Sequence, residues 1–344
     1  MGKRIFLILI VWVFWHGLSQ DAQFSQFYVS SLYLNPALAG QEGQLYFSSN
    51  YRMQWRSIVN PYVSNQVTGI VPIKNKAEFH NHKGGIGATL YSDRAGDGNL
   101  KTNGFSVSAA YNLPLAKSTY NYLSFGLQLG FIQKSLDFNN LQWGSQYNSF
   151  VGFDANVNPN ETTLLSTKIY PDISGGIMWY YNKNKDYEES KWSAYLGASG
   201  YHLNQPNESL AQGSMHRLPI LLRGHGGLEF KMGPRVTFSP NVLYAYQKSQ
   251  SQINAGAYLG FRLFDNANAL TSNGRFMLGG WCRIKDAYVG SVAFATDSYQ
   301  IGLSYDMNSS DLRYKTRGRG AYEISLVVRK IKNKQLERFS TPRF

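Results

Sequence analysis

With one cysteine in 344 residues, Cys282, the chain has no internal disulfide to hold it together, and its fold must close by hydrogen bonding and burial. The cysteine itself reads as a small apolar strand residue. Charged side chains are scarce at 16% of the sequence, and after the first fifteen residues no apolar run reaches the eighteen or so needed for a bilayer-crossing helix. Nucleophile elbows, P-loops, dinucleotide-binding turns and zinc-binding helix motifs are all missing, which removes the commoner catalytic classes. His80 and His82 stand without a nearby third metal ligand and read as a solvated turn. Asp93-Arg94-Ala95-Gly96-Asp97-Gly98 lacks the ligand ladder of a calcium loop and reads as a hairpin turn. Gly84-Gly85-Ile86-Gly87 precedes no helix N-terminus, so its glycines read as relief of crowding in a strand rather than as a phosphate cradle.

What remains is an export leader followed by a strand-forming chain. Lys3 and Arg4 precede an apolar run from Ile5 to Trp15, and Gly17 and Ser19 supply the small residues of a cleavage site, so residues 1–19 are expected to be removed. The sequence holds 24 Tyr, 20 Phe and 33 Gly, a β composition. Net charge is +13, and +11 once Lys3 and Arg4 leave with the leader. Ten Lys or Arg against Glu323 and Glu337 concentrate a local +8 between Arg313 and Phe344. An exported chain rarely meets nucleic acid, so anionic headgroups or an acidic protein are the expected counter-charges.

Alternation is the dominant pattern. Leu123, Phe125, Leu127, Leu129 and Phe131 interleave with Tyr122, Ser124, Gly126, Gln128 and Gly130; the split recurs at 253–263 and 299–306. The polar set also carries charge: Arg223, His225 and Glu229 alternate with Leu222, Leu228 and Phe230, and Arg262, Arg275 and Arg283 occupy equivalent positions. A soluble sandwich buries its apolar face and wets the other, whereas a membrane barrel turns the apolar face to lipid and encloses the charged one. Aromatics near strand ends (Trp192, Tyr244, Tyr246, Tyr299, Tyr305) suit interfacial girdles. The predicted fold is therefore all-β, a transmembrane antiparallel barrel of about fourteen strands near 43–51, 63–73, 84–93, 102–113, 120–133, 171–181, 191–201, 217–230, 235–247, 251–264, 274–284, 286–296, 298–307 and 320–330. An even count returns both ends to one side, with the long connections 134–170 and 202–216 on the other. The expected organisation is a leader (1–19), an N-terminal periplasmic or plug segment (20–41), one barrel (42–330) and a basic periplasmic tail (331–344).

Several motifs in order along the chain resemble the PorP/SprF family of Bacteroidetes outer-membrane proteins, which serve type IX secretion and gliding. They are Gln23-Phe24-Ser25-Gln26, Leu32-Tyr33-Leu34-Asn35-Pro36-Ala37-Leu38-Ala39-Gly40, Tyr51-Arg52-Met53-Gln54-Trp55, Gly84-Gly85-Ile86-Gly87, Asp93-Arg94-Ala95-Gly96, Gly126-Leu127-Gln128-Leu129-Gly130, Pro171-Asp172-Ile173, Gly200-Tyr201-His202-Leu203-Asn204, Gly280-Trp281, Gly302-Leu303-Ser304-Tyr305-Asp306 and Thr341-Pro342-Arg343-Phe344. Ala37-Leu38 departs from the family's frequent aromatic. The resemblance implies an integral outer-membrane barrel in contact with lipid, binding periplasmic ring or lipoprotein components or the C-terminal domain of a secreted adhesin, without a cofactor.

From the residues themselves, Asn35-Pro36 excludes helix at Asn35 and favours a turn, and Gly40 frees the backbone to enter the first strand. The segment holding Gln23, Phe24, Gln26, Phe27 and Tyr33 is then either packed under or inserted into the barrel, or a plain strand leader. The lumenal set Arg223, His225, Glu229, Arg262, Arg275 and Arg283 is either a ligand-binding or electrostatic constriction or a filler of charge pairs. Lys330, Lys332, Lys334 and Arg338 are either a docking tail or a solvated end. The alternative functions are a fatty-acid-transporter-like or porin-like channel and, more remotely, an enzyme sited in the long loop with Asp137, Asp154 and Glu161.

Overall fold

A computed structural model describes residues 21–41, 43–57, 60–74, 82–96, 98–116, 120–137, 141–154, 156–158, 165–183, 191–264, 274–311 and 313–330. Fourteen antiparallel strands close into a barrel: β1 (Leu45–Gln54), β2 (Tyr62–Lys74), β3 (His82–Ala95), β4 (Leu100–Pro114), β5 (Tyr120–Ser135), β6 (Thr167–Asn182), β7 (Trp192–Tyr201), β8 (Leu221–Lys231), β9 (Val236–Gln247), β10 (Gln250–Phe264), β11 (Gly274–Arg283), β12 (Ala287–Ala295), β13 (Tyr299–Asn308) and β14 (Arg319–Lys330). Each strand pairs with its sequence neighbour, and β1 closes on β14 from Leu45↔Lys330 to Gln54↔Ala321. No described helix is long and apolar enough to cross a membrane; the crossing is made by strands.

The predicted strands agree with the observed ones to within a few residues. β6 begins four residues earlier than expected, at Thr167, and β8 four residues later, so that 217–220 lie outside it. There Leu218 N–H donates to Pro206 O and Glu208 N–H to His216 O, so the stretch pairs across its own loop instead of joining the wall. Between β5 and β6, Tyr147–Asn148 and Gly152–Phe153 make a small separate hairpin.

Side-chain parity follows the sequence. Leu127, Leu129 and Phe131 are 71%, 64% and 61% exposed, whereas Ser124 and Gln128 on the opposite face are buried. A face that apolar and that exposed is stable only against acyl chains. β1 ends and β2 begins at one mouth, as do the pairs β3/β4, β5/β6, β7/β8, β9/β10, β11/β12 and β13/β14; this is the loop mouth, and β1 starts and β14 ends at the other.

The core of the molecule lies inside the wall and is built around residues 21–41. Phe24, Phe27, Val29, Leu32, Leu34, Ala37 and Leu38 are all buried, and each large apolar side chain so removed from water contributes about 1.5–3 kcal/mol. Ser25 lies beside Arg52, near the loop-mouth end of β1. Gly40 lies against Gly84 and Gly85, near the start of β3. The segment therefore descends the lumen from the loop mouth to the other mouth before turning into β1. The sequence leaves three placements open, beneath the barrel, within it or as a plain strand leader; residues 21–41 lie against the inward side chains of the wall.

Glycine makes the fit possible where main chain meets main chain. A Cβ at Gly126 would fall 2.2 Å from Ala37 N, and one at Gly85 would fall 2.6 Å from Gly40 Cα. Gly40 itself has φ +81°, which side chains rarely adopt, and that turn swings the chain toward β1. Gly126→Val is expected to unseat the 36–41 turn while the barrel persists, since overpacking typically costs about 1–3 kcal/mol. The readout is protease cleavage within 21–41 alongside unchanged heat-modifiable gel mobility. Gly224→Ala, which meets open space, should match the parent; equal protection in both variants would show that the contact is not needed.

Candidate functional site

The candidate site is the interface between the threaded segment and the inward side chains of the wall. It has three parts, and the chain doubles back so that Tyr33 lies beside Ala22 at the loop mouth.

At the bottom, the Asn-Pro turn is pinned to three strands. Pro36 opens a short 3-10 turn (Pro36–Leu38), where its missing N–H costs nothing, and Asn35 caps it by accepting from Ala37 N–H at 2.9 Å. The Asn35 amide donates to Ile177 O (3.1 Å) and Ala198 O (3.3 Å) and lies 3.0 Å from His225 Nε2. One side chain thus caps its own turn and engages β6, β7 and β8. Ser124, Ser199 and Tyr201 hydroxyls donate to the carbonyls of Ala37, Leu34 and Leu32 at 2.7–2.9 Å, supplying bonds that an irregular buried backbone needs.

Higher up, Ser25 and Gln26 sit in a buried charge cluster. Arg52 of β1 pairs with Asp306 of β13 (2.7 Å) and Glu323 of β14 (3.3 Å), and Arg283 of β11 with Asp306 (3.2 Å). Ser25 Oγ donates to Asp306 at 2.8 Å and accepts from Arg283 at 2.7 Å and from Arg52. Glu323 accepts the backbone N–H of Ser25 (2.7 Å) and Gln26 (3.1 Å). Arg52 and Glu323 are each 1% exposed, and charges that deep persist only when paired and hydrogen-bonded. Gln26 is held through Ser325, whose hydroxyl donates to its carbonyl at 2.6 Å. Tyr28 stacks on Trp281 at 5.5 Å and shares a 2.5 Å hydrogen bond with Tyr258.

At the loop mouth, Asp21 lies 2.8 Å from His202 Nε2, and Asp172 lies 2.6 Å from His202 Nδ1. Nearby, Arg223 lies over the rings of Tyr33 and Tyr201 at 4.7 and 4.8 Å and donates to Tyr33 O. Phe24 meets Tyr33 edge-on at 5.6 Å. A cavity of about 90 Å³ remains here, lined by Asp21, Gln23, Phe24, Arg223, Asn254 and Arg283 among others.

Of the residues singled out by sequence, the structure brings Gln26, Phe27, Tyr33, Asn35, Pro36, Gly40, Arg223, His225 and Arg283 into this interface. Glu229, Arg262 and Arg275 face the interior toward the other mouth, away from it, with Arg262 and Arg275 as register partners. Lys330 ends β14, exposed; Lys332, Lys334 and Arg338, together with His80 and the leader, lie outside the described residues. Sequence reasoning missed Ser25, Arg52, Asp306 and Glu323 as a unit. Strand parity places the last three inward individually, but their meeting depends on closure of β1 against β14. Among the described residues no group of three His, Cys, Asp or Glu side chains is arranged to hold a metal.

The loop-mouth anchor is pH-sensitive. Burial opposes charge on His202, but the Asp21 carboxylate and the hydrogen bonds to Asp172 and Asp21 win and push the imidazole up to about 10. For Asp21, burial works upward, and His202 overrides it to hold the carboxyl below its ordinary value. The folded imidazole binds its proton more tightly than the free one, so its stabilising contribution is complete below about pH 6.5 and is lost as pH rises toward about 10. The Asp21 contribution is present above the ordinary carboxylate pKa and is lost as pH falls below it. Protease access to the N-terminal end should therefore rise between about pH 7 and 10, and His202→Gln should be accessible throughout. A flat profile in the parent would exclude the anchor.

A family model described as type IX secretion system membrane protein PorP/SprF matches residues 17–328. No curated protein matches the sequence. Among solved structures, the toluene transporter TbuX of Ralstonia pickettii is similar at 11% identity, with 87% of this chain and 92% of that one covered and a TM-score of 0.46. A Pseudomonas aeruginosa FadL homologue matches at 11% identity over 86% and 92% of the two chains, TM-score 0.39. BamA from Haemophilus ducreyi lacking POTRA domains 1-3 matches at 9% identity over 83% and 70%, TM-score 0.38. The strand wall turned to lipid and the match across nearly the whole sequence lead to one conclusion: this chain is an integral outer-membrane barrel belonging to the PorP/SprF family of type IX secretion system membrane proteins.

Proposed function

We propose that the protein is a closed, non-enzymatic docking barrel of the type IX secretion and gliding apparatus. It binds periplasmic ring or lipoprotein components, the C-terminal domain of a secreted surface adhesin, or both, and does not pass solutes. The observation that carries this reading is the filled lumen: residues 21–41 occupy it from one mouth to the other and complete the hydrogen bonding of the buried Arg52, Arg283, Asp306 and Glu323 cluster. A wall held in this way offers its two mouths to partners and its interior to none. The loop mouth faces outward and the mouth where β1 begins and β14 ends faces the periplasm, as in other even-stranded barrels. On that orientation β14 ends at Lys330 on the periplasmic side, and Lys332, Lys334 and Arg338 in the sequence that follows supply the counter-charge for an acidic machinery component.

In planar bilayers the full-length protein is expected to be electrically silent, and a chain lacking 22–40 to conduct while retaining heat-modifiable mobility. Steady conductance by the intact protein would favour the fatty-acid-transporter-like or porin-like alternative. Crosslinking in native membranes should recover a type IX machinery component or a surface adhesin; recovery of neither would refute docking. Replacing Lys330, Lys332, Lys334 and Arg338 with Gln should lower recovery of the periplasmic partner at low salt, with the difference shrinking as salt is raised. Identical recovery from both chains at low salt would remove the tail from the reading.

A further inference from the structure

The outer wall is not uniform at the level of the loop mouth. Exposed Tyr51, Tyr322, Tyr288, Tyr246 and Tyr244, with half-exposed Tyr305, lie toward the loop-mouth ends of β1, β14, β12, β9 and β13, as an interfacial aromatic girdle requires. On β2 to β5, as on β6, β7, β8, β10 and β11, this level carries no exposed tyrosine, and on β2 to β5 amides and a hydroxyl stand in its place. Tyr51 pairs in register with Asn65, Asn65 with Ser92, Ser92 with Asn103 and Asn103 with Gln133. One lateral row thus changes from phenol to three amides and a hydroxyl.

The rows on either side show what this patch fits. One step toward the loops, Arg94 and Lys101 are register partners, both exposed, and neither forms an ion pair among the described residues. One step toward mid-membrane lie Val67, Leu90, Phe105 and Phe131, the last three 57%, 47% and 61% exposed. A groove of about 470 Å³ runs across this part of the wall, lined by Asn65, Leu90, Asn103, Phe105, Phe131 and Gln133 among others. Two cations, a band of neutral hydrogen-bonding groups and an apolar floor follow one another along the membrane normal. That is the order of phosphate, sugar or glycerol, and acyl chain in a lipid.

We propose that this groove on β2–β5 is a binding site for a phosphorylated glycolipid of the outer leaflet, with Arg94 and Lys101 on its phosphate, Asn65, Ser92, Asn103 and Gln133 on its sugar, and its acyl chains over Phe105 and Phe131. Tyrosine would crowd the groove and offers one hydroxyl where each amide offers both donors and an acceptor. Paired cations at the membrane surface attract anionic headgroups and lose that attraction when neutralised.

The test is native mass spectrometry of the detergent-purified full-length protein titrated with bisphosphorylated lipid A and, separately, with its dephosphorylated form. Saturable retention of the phosphorylated lipid is expected, with the dephosphorylated form at least about tenfold weaker and Arg94→Ala/Lys101→Ala weaker by roughly thirtyfold. Arg94→Lys should retain most of the binding, and Arg235→Ala/Lys248→Ala, which removes two cations elsewhere on the rims, should leave it unchanged. Heat-modifiable mobility reports that each variant is folded. Equal retention of the two lipids, or no effect of the double substitution, would overturn the site. Full competition by inorganic phosphate would assign it to the free anion instead. Partner capture and conductance do not enter this measurement, so it fails or holds independently of the docking function.

Discussion

Everything inside this barrel depends on main chain approaching main chain closely enough to exclude water. A fourteen-stranded wall encloses more space than its own inward side chains fill, and an irregular segment placed there must find partners for every buried N–H and C=O. Gly40 against Gly85 and Ala37 against Gly126 bring the two backbones together. Hydroxyls of Ser124, Ser199 and Tyr201 then reach carbonyls that no strand could satisfy. Without the glycines the hydroxyls would stand too far away, and without the hydroxyls close approach would strand polar groups in a dry interior.

The charge cluster builds on that fit. Arg52, Arg283, Asp306 and Glu323 come from four strands and are nearly or wholly removed from solvent. Such a set is costly to desolvate and is held together by its mutual pairing and by Ser25 and Gln26, whose hydroxyl and amides complete the carboxylates' hydrogen bonding. The cluster therefore recognises the segment as specifically as the segment fills the barrel.

How much of this was legible beforehand follows from the range of each interaction. Alternation is local, so the wall could be read nearly strand by strand, and the inward positions of Arg223, His225 and Arg283 came with it. The turn at Asn35-Pro36 and the need for Gly40 are likewise local backbone chemistry. The route of the segment was not legible, because it depends on glycines at 85 and 126 that in sequence look like any strand glycine. The meeting of residues 25, 52, 283, 306 and 323 depends on ring closure, a condition on the whole chain. The Asp21–His202 anchor escaped for the same reason, its two halves being separated by 181 positions.

The closing joint of the cylinder lies between β1 and β14, where strands from the two extremes of the wall are zipped from Leu45↔Lys330 to Gln54↔Ala321. Arg52 belongs to one margin of that joint and Glu323 to the other, and Ser25 touches both from within. The interior segment is thereby a rivet across the seam as well as a stopper. Parting the wall sideways along this line would tear a buried cation from its anion and free the rivet at once, so lateral opening and unplugging are mechanically one event.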